Sequence, residues 1–133
     1  MKLTTKSEYS LLALIYIVRH AKDNFVKVDD ICLHYDISKK YLEFLFTTLK
    51  QNGYLKTRRG AGGGYRLAKP AEEISLARIL RLMDGALAPT ESVSKYFYAE
   101  TPLLQEKKVL RVFKEIRDYI SKKLENMTLA DLV

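Results

Sequence analysis

The chain has 133 residues, 47% hydrophobic and 29% charged, with 23 Lys plus Arg against 16 Asp plus Glu and a single cysteine. Length and composition suit one compact domain with a small appendage and exclude a disordered chain. One cysteine excludes an internal disulfide framework and a Cys-paired structural zinc site, and a net charge of +7 points to a polyanionic partner.

At the start, Met1-Lys2 and the apolar run Leu11–Val18 superficially mimic a signal peptide. Such a run is too short for a bilayer, which needs ~20 residues, and Arg19-His20 interrupts any cleavage site. The pattern predicts instead a helix from Lys6 to about Ala21, opened by Thr5-Lys6-Ser7-Glu8 as a capping box. Its apolar positions fill more than one stripe, which places it centrally in the core. The protein is therefore read as cytoplasmic, with no membrane partner.

A second helix is expected over Val28–Tyr35, with Ile31 and Cys32 inward and Asp29-Asp30 in its first turn. Asp36-Ile37 makes a turn, Ser38 caps a third helix from Lys39 to about Asn52, and Gly53 stops it. Leu42, Leu45, Phe46 and Leu49 recur at three- and four-residue steps and supply its buried face. Two short helices joined this tightly form a helix-turn-helix pattern. Tyr54–Arg59 then reads as a strand, Gly60–Gly64 as a turn and Tyr65–Ala68 as the returning strand, a basic hairpin in the position of a wing. Pro70 ends it, and Ser75 caps a fourth helix that runs through Asp84 to Gly85.

Ala86–Glu100 has no periodicity, and Pro102–Leu124 restores a long helix. Val109, Val112, Phe113, Ile116, Tyr119, Ile120 and Leu124 fall on one face of it, which must be buried against its own domain or against a second copy. Pairing with the copy is the preferred reading. Thr128–Val133 reads as a short capped helix pinned by Leu129 and Leu132. The expected fold is mainly α with a small β-hairpin wing. A winged helix-turn-helix domain spans 1–85, a linker for an effector or partner spans 86–101, and a dimerisation helix with its tail spans 102–133.

The basic excess has an address. Ser38–Lys69 holds eight cations (Lys39, Lys40, Lys50, Lys56, Arg58, Arg59, Arg66 and Lys69) and one anion, Glu43, which is the whole net charge of the protein. Charge confined to one quarter of a chain is a footprint, here for nucleic acid. Glu43 has two readings, an intrahelical ion pair with Lys39 or Lys40, or an acceptor for cytosine N4 in the major groove. The ring of Tyr41 is expected under the helix start, with its hydroxyl free to meet a phosphate.

Catalysis finds no foothold. The glycine run lacks the Lys-Ser/Thr of a phosphate loop, since Tyr65-Arg66 follows it. His20 and His34 have no partner at a ligand spacing, and Cys32 reads as a small buried side chain, with a redox-sensing thiol as the alternative. No serine, histidine and carboxylate constellation appears, so neither an enzyme nor a cofactor is expected.

Met1–Lys6 with Tyr9, Ile37–Glu43, Arg59–Leu67, Asp84-Gly85 and Thr128–Leu132, taken together, resemble the Rrf2 family of bacterial winged-helix regulators. The resemblance spans nearly the whole chain. It implies a homodimer whose long C-terminal helices cross, set on a pseudo-palindromic site in double-stranded DNA. By position it places Ser38, Lys39, Lys40, Tyr41 and Glu43 at the opening of the recognition helix and Arg59 with Gly60 at the wing tip, and Lys6, Tyr9, Arg58 and Arg66 complete the expected DNA-contacting set. Glu43 matches a base-reading glutamate in the branch that regulates iron–sulfur cluster assembly, and Arg59-Gly60 matches the wing tip. Lys40 stands where that branch has serine, which implies a different preferred sequence.

Many members carry three cysteines after the fourth helix and hold an iron–sulfur cluster there, whereas residues 86–104 contain none. The resemblance therefore implies a dimeric repressor without a cluster. Its controlling signal is left open between a small metabolite, a partner protein and constitutive binding. Two other readings stand beside it, a module that holds a protein partner through residues 86–104 and an RNA-binding winged helix.

Overall fold

A computed structural model describes residues 1–133. Helix α1, Thr5–His20, runs through the centre, with Ala13, Leu14 and Ile17 buried in the main core. Its N-cap is Thr4, one residue before the expected Thr5. The Thr4 hydroxyl accepts from the Ser7 N–H at 3.4 Å and donates to the Asp84 carboxylate. That second bond reaches 80 residues along the chain, so tertiary structure decides which threonine caps.

Helices α2, Val28–Tyr35, and α3, Lys39–Gln51, follow the expected limits closely. Asp36 ends α2 at φ +55°, a left-handed conformation that short polar side chains tolerate, and the Ile37 N–H returns to the Cys32 carbonyl. The Ser38 Oγ then accepts from the Tyr41 N–H at 3.4 Å and starts α3. Leu42, Leu45, Phe46 and Leu49 are fully or almost fully buried, as their spacing requires. Burying the aliphatic members contributes ~1.5–3 kcal/mol each relative to exposure.

Strands β1, Leu55–Arg58, and β2, Gly64–Leu67, pair antiparallel with Leu55 opposite Leu67 and Arg58 opposite Gly64. Strand β1 is shorter than expected, because the Tyr54 N–H closes back onto the Leu49 carbonyl, whereas β2 keeps the expected four residues but lies one position earlier. Val26 adds a bridge the sequence did not announce, exchanging two 2.8 Å hydrogen bonds with Tyr65. The hairpin is thus fixed to the segment before α2. Helix α4, Leu76–Asp84, is capped by the Ser75 Oγ, which accepts from the Arg78 N–H.

Helix α5 covers Lys107–Glu125 and starts later than Pro102. Pro102–Gln105 forms a separate 3-10 turn, and Glu106 breaks it from α5 in a non-helical conformation. Leu103 and Leu104 pack there against a small cluster of Ala88, Val93 and Leu110. The chain finally returns to the first domain. Leu129 is fully buried in the main core, its N–H bonds the Ile74 carbonyl, and the Leu76 N–H bonds that of Met127. Leu129 thereby ties the C-terminal tail into the core that α1 and α3 share.

Candidate nucleic-acid interface

With its apolar face committed to the core, α3 leaves Lys39, Lys40, Glu43, Phe44 and Thr47 exposed. The start of α3 and the hairpin share one concavity of about 510 Å³, lined by Lys27, Lys39 and Glu43 on one side and Thr57, Arg58 and Gly60 on the other. Of the cations in the basic quarter of the chain, Lys39 and Arg58 line this concavity, together with the one anion of that quarter, Glu43. Ser38 lies exposed at the open N-terminus of α3, where backbone N–H groups and the helix dipole favour an anion. Lys40, Arg58 and Arg59 are exposed and engage no protein acceptor, so their charges are free for an external partner.

Glu43 departs from one of its two readings. It pairs with neither Lys39 nor Lys40; Lys39 instead reaches the Asp29 carboxylate of α2 at 3.1 Å. Asp29 accepts that hydrogen bond and adds its charge, which together raise Lys39 above the ordinary lysine value. The α2–α3 turn sets this partner, because it lays the first turns of the two helices side by side. The Glu43 carboxylate is left as a solvent-facing acceptor beside Arg58 in the shared concavity.

The wing tip is tightly built. A Cβ at Gly63 would collide with the Arg58 carbonyl, and one at Gly64 with that of Val26, so both positions exclude any side chain. Thr57 Oγ1 donates to the Gly64 carbonyl at 2.9 Å and closes the hairpin. Gly60 stands at φ +90° with open space around it.

Arg66 lies elsewhere. Its guanidinium donates to the Asp23 carbonyl at 3.1 Å and stacks 5.2 Å from the Phe25 ring, in a second concavity that also holds Lys22, Lys56 and Lys69. It braces the base of the hairpin rather than sharing the surface of Lys39 and Arg58.

Lys6 and Tyr9 come to α3 from the start of α1. The Tyr9 and Tyr41 rings meet edge to face at 5.8 Å, and Tyr41 leans on Phe44 at 6.4 Å. The Lys6 ammonium sits 5.9 Å from the Phe44 ring centroid. The Tyr41 ring is thereby packed at the helix start, as expected. Phe44 went unremarked in the sequence, although its position off the Leu42, Leu45, Phe46 and Leu49 stripe was available as a signal; it is 56% exposed.

The apolar stripe expected on α5 divides. Phe113 packs on the Ala88, Val93 and Leu110 cluster, while Ile120 and Leu124 pack on Ala77, Leu80 and Leu87. Leu110, absent from the expected set, is the buried residue at the front of the helix. Val109, Val112, Ile116 and Tyr119 face solvent, Val112 at 52% and Tyr119 at 72% exposure. These four recur at three- and four-residue steps and form a second apolar face with no cover in the single chain.

Residues 86–101 offer hydroxyls and aromatics rather than thiolates. Thr90 and Ser92 lie 3.3 Å apart, the Ser94 Oγ accepts from the Phe97 N–H at 3.0 Å, and Arg117 donates to the Val93 carbonyl at 2.9 Å. A concavity of about 560 Å³ opens between residues 1–2 and this segment, and Thr101, whose hydroxyl is buried without a partner, lines it. This donor set does not fit an iron–sulfur cluster, which is held by cysteine thiolates. Cys32 is in α2, and burial together with the Asp29 carboxylate pushes its thiol up. His20 and His34 are both taken up in stacking with Tyr16. No helix is long and apolar enough to cross a membrane.

Comparison with known proteins agrees with this architecture. The family model described as "Rrf2: Iron-dependent Transcriptional regulator" matches residues 3–133. The regulator IscR of Erwinia tasmaniensis is 34% identical over 134 residues, covering all of this chain and 79% of its own. The solved structure of CymR, the global cysteine regulator of B. subtilis, superposes with a TM-score of 0.80 at 29% identity, covering 99% of this chain and 95% of the other. IscR of T. potens superposes with a TM-score of 0.71 at 28% identity, covering 99% and 85%.

Proposed function

Because the chain belongs to the Rrf2 family of transcriptional regulators, a non-enzymatic family, we propose that it acts as a dimeric repressor that occupies a pseudo-palindromic promoter site. The observation that carries this reading is the shared concavity in which Lys39 and Glu43 of α3 face Arg58 and Gly60 of the wing. One helix start enters the major groove while its wing lies along the neighbouring backbone or minor groove. The Ser38 end of α3 and Lys6 meet phosphate, Lys40 and Glu43 meet base edges, and Arg59 rides the wing tip. Tyr9 holds Tyr41 in place, and Arg66 supports the hairpin from behind rather than touching DNA.

Pairing would use the uncovered face of α5. Val109, Val112, Ile116 and Tyr119 would meet the same residues of a second copy, since a two-fold axis makes one patch self-complementary. Phe113, Ile120 and Leu124 fix the helix to its own domain and so set the spacing of the two recognition helices. The absence of cysteine between residues 86 and 104 supports regulation without an iron–sulfur cluster. The concavity beside Thr101 is the place for a small effector, and the exposed Tyr96 and Tyr98 offer the alternative of a protein effector.

Selection of genomic fragments by the purified full chain tests the proposal. A recurrent motif with two-fold symmetry, bound less tightly as salt rises, is the expected result. Fragments without a shared motif, or preferential retention of RNA of equal length, would overturn it.

A further inference from the structure

Phe44 is the apolar exception on an otherwise polar surface. It lies one turn beyond Lys40 and beside Thr47 on the outward side of α3, directly opposite the core residues Leu42 and Leu49. Single exposed aromatics are common and need no function. Two features separate this one. Its ring lies 5.9 Å from the Lys6 ammonium and 6.4 Å from the Tyr41 ring, so a cation and a second aromatic flank it. Its exposed neighbours on α3 are Lys40, Glu43 and Thr47, so it does not belong to an apolar patch of the kind that docks another protein.

Resting on the DNA-binding reading above, we infer that Phe44 reads the C5-methyl group of a thymine in the major groove, making it a specificity residue alongside Glu43 and Lys40. Among the groups base pairs present in that groove, the thymine methyl is the apolar one, and aromatic or methyl-bearing side chains are its partners. The surroundings fit. Lys6 beside the ring would bring its charge to a flanking phosphate, and Lys40, exposed one turn earlier, would reach the neighbouring base edge. The thymine should therefore lie within one or two base pairs of the position read by Lys40.

The test replaces thymine by deoxyuridine, which removes the methyl and leaves the hydrogen-bonding edges unchanged. Duplexes carrying the motif selected by the full-length protein are substituted one thymine at a time, symmetrically in both half-sites, and titrated by fluorescence anisotropy. One position should weaken wild-type binding by about fourfold per half-site, the worth of burying one methyl group. Phe44→Ala and Phe44→Gln should bind the thymine and deoxyuridine duplexes equally at that position while keeping their selectivity elsewhere. If every deoxyuridine effect is the same in wild type and both variants, the inference is wrong and the regulator reading stands. If the wild type selects no motif at all, the regulator reading itself fails.

Discussion

Helices α3 and α5 are both amphipathic, yet they complete themselves differently. α3 commits its entire apolar face to one core and presents cations, one carboxylate and one aromatic outward. α5 commits half of its apolar residues to its own chain and leaves Val109, Val112, Ile116 and Tyr119 uncovered. What α3 lacks is an anion, and what α5 lacks is a hydrocarbon surface. The first kind of vacancy costs nothing in water because the charges are hydrated, whereas the second leaves apolar area exposed until a partner arrives. The contrast teaches that, on the proposed reading, the DNA surface would be complete in one chain, while its placement against a second half-site would depend on a copy.

The comparison breaks hardest at Phe46, which is fully buried and stacks 4.6 Å from Tyr65 of the hairpin. Phe46→Ala should destabilise the fold by about 3–5 kcal/mol in urea titration, because it opens a cavity between α3 and the wing. Ile116→Ala, on the open face of α5, should leave the stability of the single chain within about 0.5 kcal/mol. An equal loss from both would mean that α5 packs on its own domain by this face.

Charge placed on that face sharpens the contrast next. Val112→Glu with Ile116→Glu should yield a monomer in sedimentation equilibrium with its circular dichroism intact. Affinity for a two-half-site duplex should drop by roughly 100-fold or more, since linked binding of the halves is lost. A variant that stays dimeric would move the interface off α5.

On the wing, Arg59→Ala should weaken binding to all sequences alike and make the log-affinity against log-salt slope shallower by about one. An unchanged slope would remove the wing from the interface. The smallest effect lies where α4 meets α5. Arg81 donates to Glu125 at 2.8 Å and holds that carboxyl below its ordinary value of 4.5. A depressed carboxylate stabilises above its unfolded pKa and loses that contribution as pH falls through the folded one. Wild type should exceed Glu125→Gln by up to about 1 kcal/mol near neutrality, and the two melting curves should converge as pH falls through the lowered value of the Glu125 carboxyl.

Features decided within a turn or two of sequence were legible. Ser38 and Ser75 as caps, Gly53 as a stop, the apolar stripe of α3 and the basic hairpin all rest on local periodicity and turn chemistry. Features set by distant partners were not. Thr4 caps α1 because Asp84 is waiting for its hydroxyl, and Lys39 ignores Glu43 because the α2–α3 turn brings Asp29 closer. Arg66 read as one more cation of the footprint until the fold gave it the Asp23 carbonyl and the Phe25 ring. The α5 stripe was visible as hydrophobic, but a helical pattern cannot say how two apolar faces share one helix.

The wing tip carries a practical consequence for anyone wishing to retarget this scaffold. Gly63 and Gly64 are closed to every side chain, whereas Gly60 and Gly62 have empty space around their Cα atoms and ask only for a backbone that bends the left-handed way. Randomised libraries should hold the first two fixed and spend their diversity at the exposed Ala61, and at Gly60 and Gly62 with asparagine and aspartate, which bend most willingly. The hairpin then behaves as an interchangeable nib on a fixed barrel, and new specificities can be searched without disturbing the fold that holds it.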